Sequence, residues 1–129
     1  MTELVRYMQE TRLYYKMFEN PITFTFDVAK KAHPDLEYDF AFAYLGDEEL
    51  GPKEYSGPWG QTDFDGEFPT ILVDPRLPIC AFPEIFMHEL AHVIVGFDAG
   101  HEEAWENEFK KLEEFYNQVF EELHADPDA

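Results

Sequence analysis

His88-Glu89-Leu90-Ala91-His92, followed by Gly100-His101-Glu102-Glu103-Ala104-Trp105, is the stretch on which the reading of this chain turns. Two histidines spaced i and i+4 stack on one face of a helix, and the glutamate between them sits beside any ion the imidazoles share. Zinc accepts neutral imidazole in a tetrahedral arrangement, and a catalytic site keeps one of its four positions for water. His88, His92 and one further ligand leave that position open. Glu89 does not turn easily toward the same ion as its neighbours. It is therefore available as the base for a zinc-bound water whose acidity the metal has raised. The pattern predicts a zinc-dependent hydrolase.

The flanking residues suit that role. Phe86-Met87, Leu90-Ala91 and Val93-Ile94-Val95 supply the apolar surroundings of a buried helix, expected from Phe82 to about Val95, and Gly96 is a natural stop. Eight residues separate His92 from His101, which is too long for a metzincin. The stretch resembles the SprT-like (Spartan-like) metallopeptidases, in which H-E-L-x-H is followed after a variable turn by Gly-His-Gly-x-x-Phe or Trp. Here Gly100, His101 and Trp105 match, and Glu102 replaces the second glycine. The likeness covers roughly residues 68–109. It implies a zincin-like fold in which His88, His92 and His101 bind Zn2+ and Glu89 is the general base.

Asp98, Glu102, Glu103 and Glu106 are also close enough in sequence to be the third ligand, as in gluzincins. Imidazole is the better zinc donor, and glutamates in a first helical turn are favoured by the helix dipole in any case. Asp98 reads equally well as a helix cap and as a carboxylate orienting a ligand imidazole.

Composition bounds the remainder. The chain has 129 residues, 45% hydrophobic and 17% aromatic, which suits a single packed domain over 1–129 with a frayed tail at 124–129. No run is apolar enough to span a membrane and no signal peptide is legible at Met1, so a cytoplasmic protein is expected. The lone Cys80 excludes an internal disulfide and reads as a buried free thiol rather than a ligand. With 28 acidic against 9 basic residues the formal charge is -19. Such a surface repels phosphate backbones, so no nucleic-acid partner is expected, and the acidity suits either solubility or a basic peptide or protein substrate.

Leu4, Met8, Tyr15 and Phe18 approach helical spacing, predicting an N-terminal helix over 3–19 that Asn20-Pro21 stops. Residues 22–28 and 38–44 alternate as strands do, with 30–34 a connection and His33 a loop residue rather than a ligand. Residues 46–66 read as a long loop or irregular hairpin bordering the cleft, and 68–75 as a strand. By resemblance, zincins hold substrate in extended form along an edge strand just before the active helix. Residues 70–74 are the candidate for that edge, and an ordinary central strand fits them equally. A closing helix from about His101 carries Trp105, Phe109, Leu112, Tyr116, Val119, Phe120 and Leu123 on its core stripe.

The expected architecture is thus α+β, with an N-terminal helix, a three- or four-stranded sheet, the HExxH helix and a C-terminal helix. Tyr55, Trp59 and Tyr116 are candidates for stabilising an oxyanion, and spacing selects none of them. Two other readings compete with a general metallopeptidase. One is a regulatory protease of the ImmA/IrrE type. The other is an acidic nucleic-acid mimic or interaction module with structural zinc, which a fourth protein ligand would betray.

Overall fold

The computed structural model describes residues 20–96 and 102–124. It has a helix α1 (Pro21–Ala32), strands β1 (Asp39–Phe42), β2 (Gly60–Asp63) and β3 (Thr70–Val73), a 3-10 turn (Ile79–Ala81), and helices α2 (Phe82–Val95) and α3 (Glu103–His124). This is a small α+β domain with a three-stranded mixed sheet. The helix expected over 3–19, the third-ligand candidate His101, Asp98 and residues 125–129 of the tail lie outside the described residues. No described helix is long and apolar enough to cross a membrane.

The expected strand at 22–28 is a helix. Asn20-Pro21 starts it: the Asn20 side chain accepts from the Ile22 N–H at 2.9 Å, and Pro21 occupies the first turn, where its missing N–H costs nothing. Lys30 and Lys31 fall in the last turn, favoured there by the helix dipole, so the predicted connection at 30–34 begins only at His33. Thr25, a β-former by propensity, is satisfied inside the helix by donating its hydroxyl to the Pro21 carbonyl at 2.6 Å. Phe24, Thr25, Val28 and Ala29 form the buried face, an i, i+1, i+4, i+5 set that burial rewards more than propensity opposes.

The sheet order is β1-β3-β2, with β1 parallel and β2 antiparallel to β3. β3 is therefore central, and the edge-strand expectation for residues 70–74 is corrected: Ile71 and Val73 are fully buried. Register aligns Phe40 with Ile71 and Thr62, and Phe42 with Val73 and Gly60, so these two rows share one face of the sheet. That face carries aromatic residues on β1, aliphatic ones on β3, and only Gly and Thr on β2. The helices cover it. Phe26 of α1 packs edge-on against Phe40 at 4.9 Å and Phe86 at 5.0 Å, closing the aromatic side of the core.

α2 runs over β2 and β3 with Phe82, Phe86, Met87, Leu90 and Ala91 buried. Pro83 in its first turn and Glu84 beside the dipole's positive end begin it, and Gly96, at φ 93°, ends it with its N–H on the His92 carbonyl. α3 lies against α2 and α1 through Trp105, Phe109, Leu112, Phe115 and Tyr116.

Between β1 and β2 the chain makes a long excursion fastened by Arg76. The guanidinium grips Asp74 with Nε on Oδ1 at 2.9 Å and Nη2 on Oδ2 at 2.8 Å. It also donates to the carbonyls of Asp47 and Leu50 and lies 3.6 Å from the Tyr55 ring centroid. The Asp74 N–H donates to the Trp59 carbonyl at 2.9 Å, so the same clamp fixes the start of β2.

Candidate active site

A cleft opens between β2 and α2, lined among the described residues by Gly60, Gln61, Thr62, Phe64, His88, Glu89 and His92. The two histidines and the glutamate thus share one concavity, as the i, i+4 spacing predicts. The imidazoles of His88 and His92 have centroids 5.2 Å apart. They are held from behind by α3. Trp105 stacks on His92 with centroids 5.3 Å apart and planes 24° from parallel, and it meets His88 edge-on at 4.5 Å. Its Nε1 donates to the His88 carbonyl at 3.0 Å, and Phe109 touches His88 at 5.7 Å. The aromatic residue four positions beyond His101 therefore limits how the two imidazoles can turn.

Glu89 lies deeper, 7% exposed. Thr62 on β2 donates its hydroxyl to Glu89 Oε1 at 2.9 Å, while Oε2 lies 3.9 Å from His88 Nε2. Burial raises the carboxyl above its ordinary value and the Thr62 bond draws it partly back. Close approach of strand and helix depends on Gly60. A Cβ there would lie 2.8 Å from Ile85 Cγ2 and 3.0 Å from Glu89 Cγ and Oε2.

The donor chemistry fits zinc as far as the described residues reach: two imidazoles on one helix face, in a cleft open to water. Among the described residues no group of three His, Cys, Asp or Glu side chains is close enough to share an ion, so Glu102, Glu103 and Glu106, all exposed on or beside the first turn of α3, do not complete the set. His101 and Asp98 lie outside the described residues. Cys80, expected as a buried thiol, is exposed and lines a different concavity with Glu84, Met87 and Tyr116. His33 caps the end of α1, a loop residue as expected.

None of the three oxyanion candidates lines the cleft. Tyr55 donates its hydroxyl to the Pro58 carbonyl and packs under Arg76, Trp59 meets the Tyr55 ring edge-on, and Tyr116 packs against Phe24. The residues that sequence reasoning missed are Gly60 and Thr62. Four residues reading Gly-Gln-Thr-Asp carry no apolar alternation, and only the pairing with β3 makes them a strand.

Compared with family models, with characterised proteins and with solved structures, the chain matches none.

Proposed function

We propose that this chain is a zinc-dependent metallopeptidase of zincin-like architecture, with Glu89 as general base and His88, His92 and His101 holding the metal. The single observation that carries the reading is a half-buried cleft lined by both imidazoles of one helix turn and by a carboxylate, beside His88, whose affinity for protons burial has raised. Zinc, when bound by the histidines, supplies a Lewis acid that makes water acidic enough to deprotonate near neutral pH.

The chain's own residues account for the remainder. Glu89 Oε1 is occupied by the Thr62 hydroxyl, which leaves Oε2, on the His88 side, to take a proton and later hand it to the leaving amine. Substrate is taken up as an extended chain along β2. Because the Asp74 N–H pairs with the Trp59 carbonyl, alternation places Gln61 and Asp63 in hydrogen-bonded pairs with β3 and turns the main-chain groups of Gly60 and Thr62 outward. An edge so disposed accepts a peptide by strand addition, next to Glu89. The charge of -19, with Asp63, Asp65 and Glu67 at and beyond the end of β2, favours a basic, unfolded substrate over nucleic acid.

The test combines metal analysis with one variant. The purified protein should bind about one zinc per chain and cleave an unfolded basic protein such as a histone. Glu89→Gln should retain zinc and folding and lose hydrolysis by roughly 10²-fold or more. Equal cleavage by the Gln variant would overturn the assignment of the base. Zinc held by four protein ligands, with no cleavage, would favour a structural metal.

A further inference from the structure

We propose that Thr62 is the positioning residue of this site: its hydroxyl selects the Glu89 rotamer that can act as base, and it ties that rotamer to the strand on which substrate lies. The inference rests on the functional reading above and deepens it, because it makes occupancy of the β2 edge and placement of the base two properties of one residue.

Three observations meet at Thr62. Its side chain shares the helix-facing side of the sheet with Ile71 and Phe40, so it points at α2 rather than at solvent. Its hydroxyl lies 2.9 Å from Glu89 Oε1 and 3.2 Å from the Glu89 carbonyl oxygen, so among the described residues its single proton has acceptors only on that one residue. Its own N–H and carbonyl face the open edge of β2 by the alternation derived from the Trp59 and Asp74 pair.

A glutamate has three rotatable bonds, and a base that samples several rotamers spends little time in the productive one. Burial confines Glu89, and Gly60 lies close against its Cγ and Oε2, but Gly60 has no side chain that could bond and orient the carboxyl. The Thr62 hydroxyl supplies the missing constraint from the same strand. It also leaves Oε2 on the His88 side, so the constraint does not consume the oxygen that receives the proton. A peptide adding to the edge bonds the main chain of Thr62 and Gly60 and stiffens a four-residue strand that has only one partner among the described residues. Substrate pairing thereby sharpens the placement of the base.

Two readouts test this, one independent of any substrate. In NMR, side-chain ³J couplings of Glu89 should report one dominant rotamer in the wild type and in Thr62→Ser, and averaged rotamers in Thr62→Val; Thr62→Ala serves if the Val variant does not fold. Unchanged couplings in a folded variant lacking the hydroxyl overturn the proposal. In hydrolysis of a basic unfolded protein by the zinc-loaded enzyme, Thr62→Val should lower kcat roughly 10- to 100-fold with KM within about twofold, and Thr62→Ser should restore most of it. A change confined to KM, or a Ser variant as impaired as the Val variant, also overturns it, since either would make Thr62 part of the cleft wall only. If the couplings respond as stated but the wild type cleaves nothing, the peptidase reading has failed and the positioning of Glu89 stands.

Discussion

The indole Nε1 of Trp105 donates to the main-chain carbonyl of His88 at 3.0 Å while its ring lies stacked on His92, so one residue of α3 grips the backbone of one histidine and the side chain of the other. Trp105→Phe should keep most of the packing and lose about 1 kcal/mol with the hydrogen bond, whereas Trp105→Ala should cost about 3–5 kcal/mol. Released imidazoles bind metal less well, so the Ala variant should also weaken zinc affinity roughly 10- to 100-fold. Chelator competition measures this, and unchanged affinity in a folded Ala variant would remove Trp105 from the site.

Gly60→Ala is expected to injure the site more than the fold. The new methyl would meet Ile85 and Glu89 at 3.0 Å or less, and overpacking of this kind costs about 1–3 kcal/mol. Because the methyl presses on the Glu89 carboxylate arm as well as on Ile85, it should displace the base, and hydrolysis should fall by roughly tenfold or more while the far-UV spectrum stays native. Wild-type activity in the Ala variant would mean that the strand and helix do not approach so closely in solution.

The Asp74 and Arg76 pair sets an acid limit on stability. Hydrogen bonds from Arg76, aided by the Leu45 and Arg76 main-chain N–H groups, hold the Asp74 carboxyl well below the usual carboxylate range against the opposing effect of burial. A folded value below the unfolded one, about 3.9, gives stabilisation that is complete above that value and is lost as pH falls from there toward the folded value. Melting temperatures of the wild type should therefore drop more steeply below about pH 4 than those of Asp74→Asn, which starts lower at neutral pH. Parallel curves would show that Asp74 titrates normally.

Zinc stoichiometry in variants identifies the third donor. His101→Ala should sharply weaken binding, whereas Glu103→Gln and Glu106→Gln, altering side chains exposed on the first turn of α3, should leave it unchanged. The reverse result would make a glutamate the ligand and move the chain toward the gluzincin arrangement.

Periodicity served well where burial and pattern coincide. The limits of α2 and the shared face of His88 and His92 follow from apolar spacing and Gly96, and the stripe on α3 is legible for the same reason from Trp105 to Val119, whereas Phe120, expected on it, is 43% exposed. It misled at 22–28, where alternating Ile, Phe and Val with intervening Thr mimic a strand. The deciding information there was a cap: Asn20-Pro21 is compatible with ending one helix or starting another, and only the tertiary contacts of Phe24 and Val28 separate the two. β2 was illegible because its residues are strand-forming only by virtue of their partner, and with it went Gly60, Thr62 and the true edge beside the cleft.

The two walls of the cleft differ in how firmly they are anchored. α2 buries Phe82, Phe86, Met87, Leu90 and Ala91, so amide hydrogens in its buried middle should exchange with solvent more slowly than those of β2. β2 is a four-residue strand hydrogen-bonded along one side among the described residues, and its amides can exchange by local opening. Fluctuations that widen the cleft are therefore expected in the strand, while the helix that carries the imidazoles forms its firmer wall.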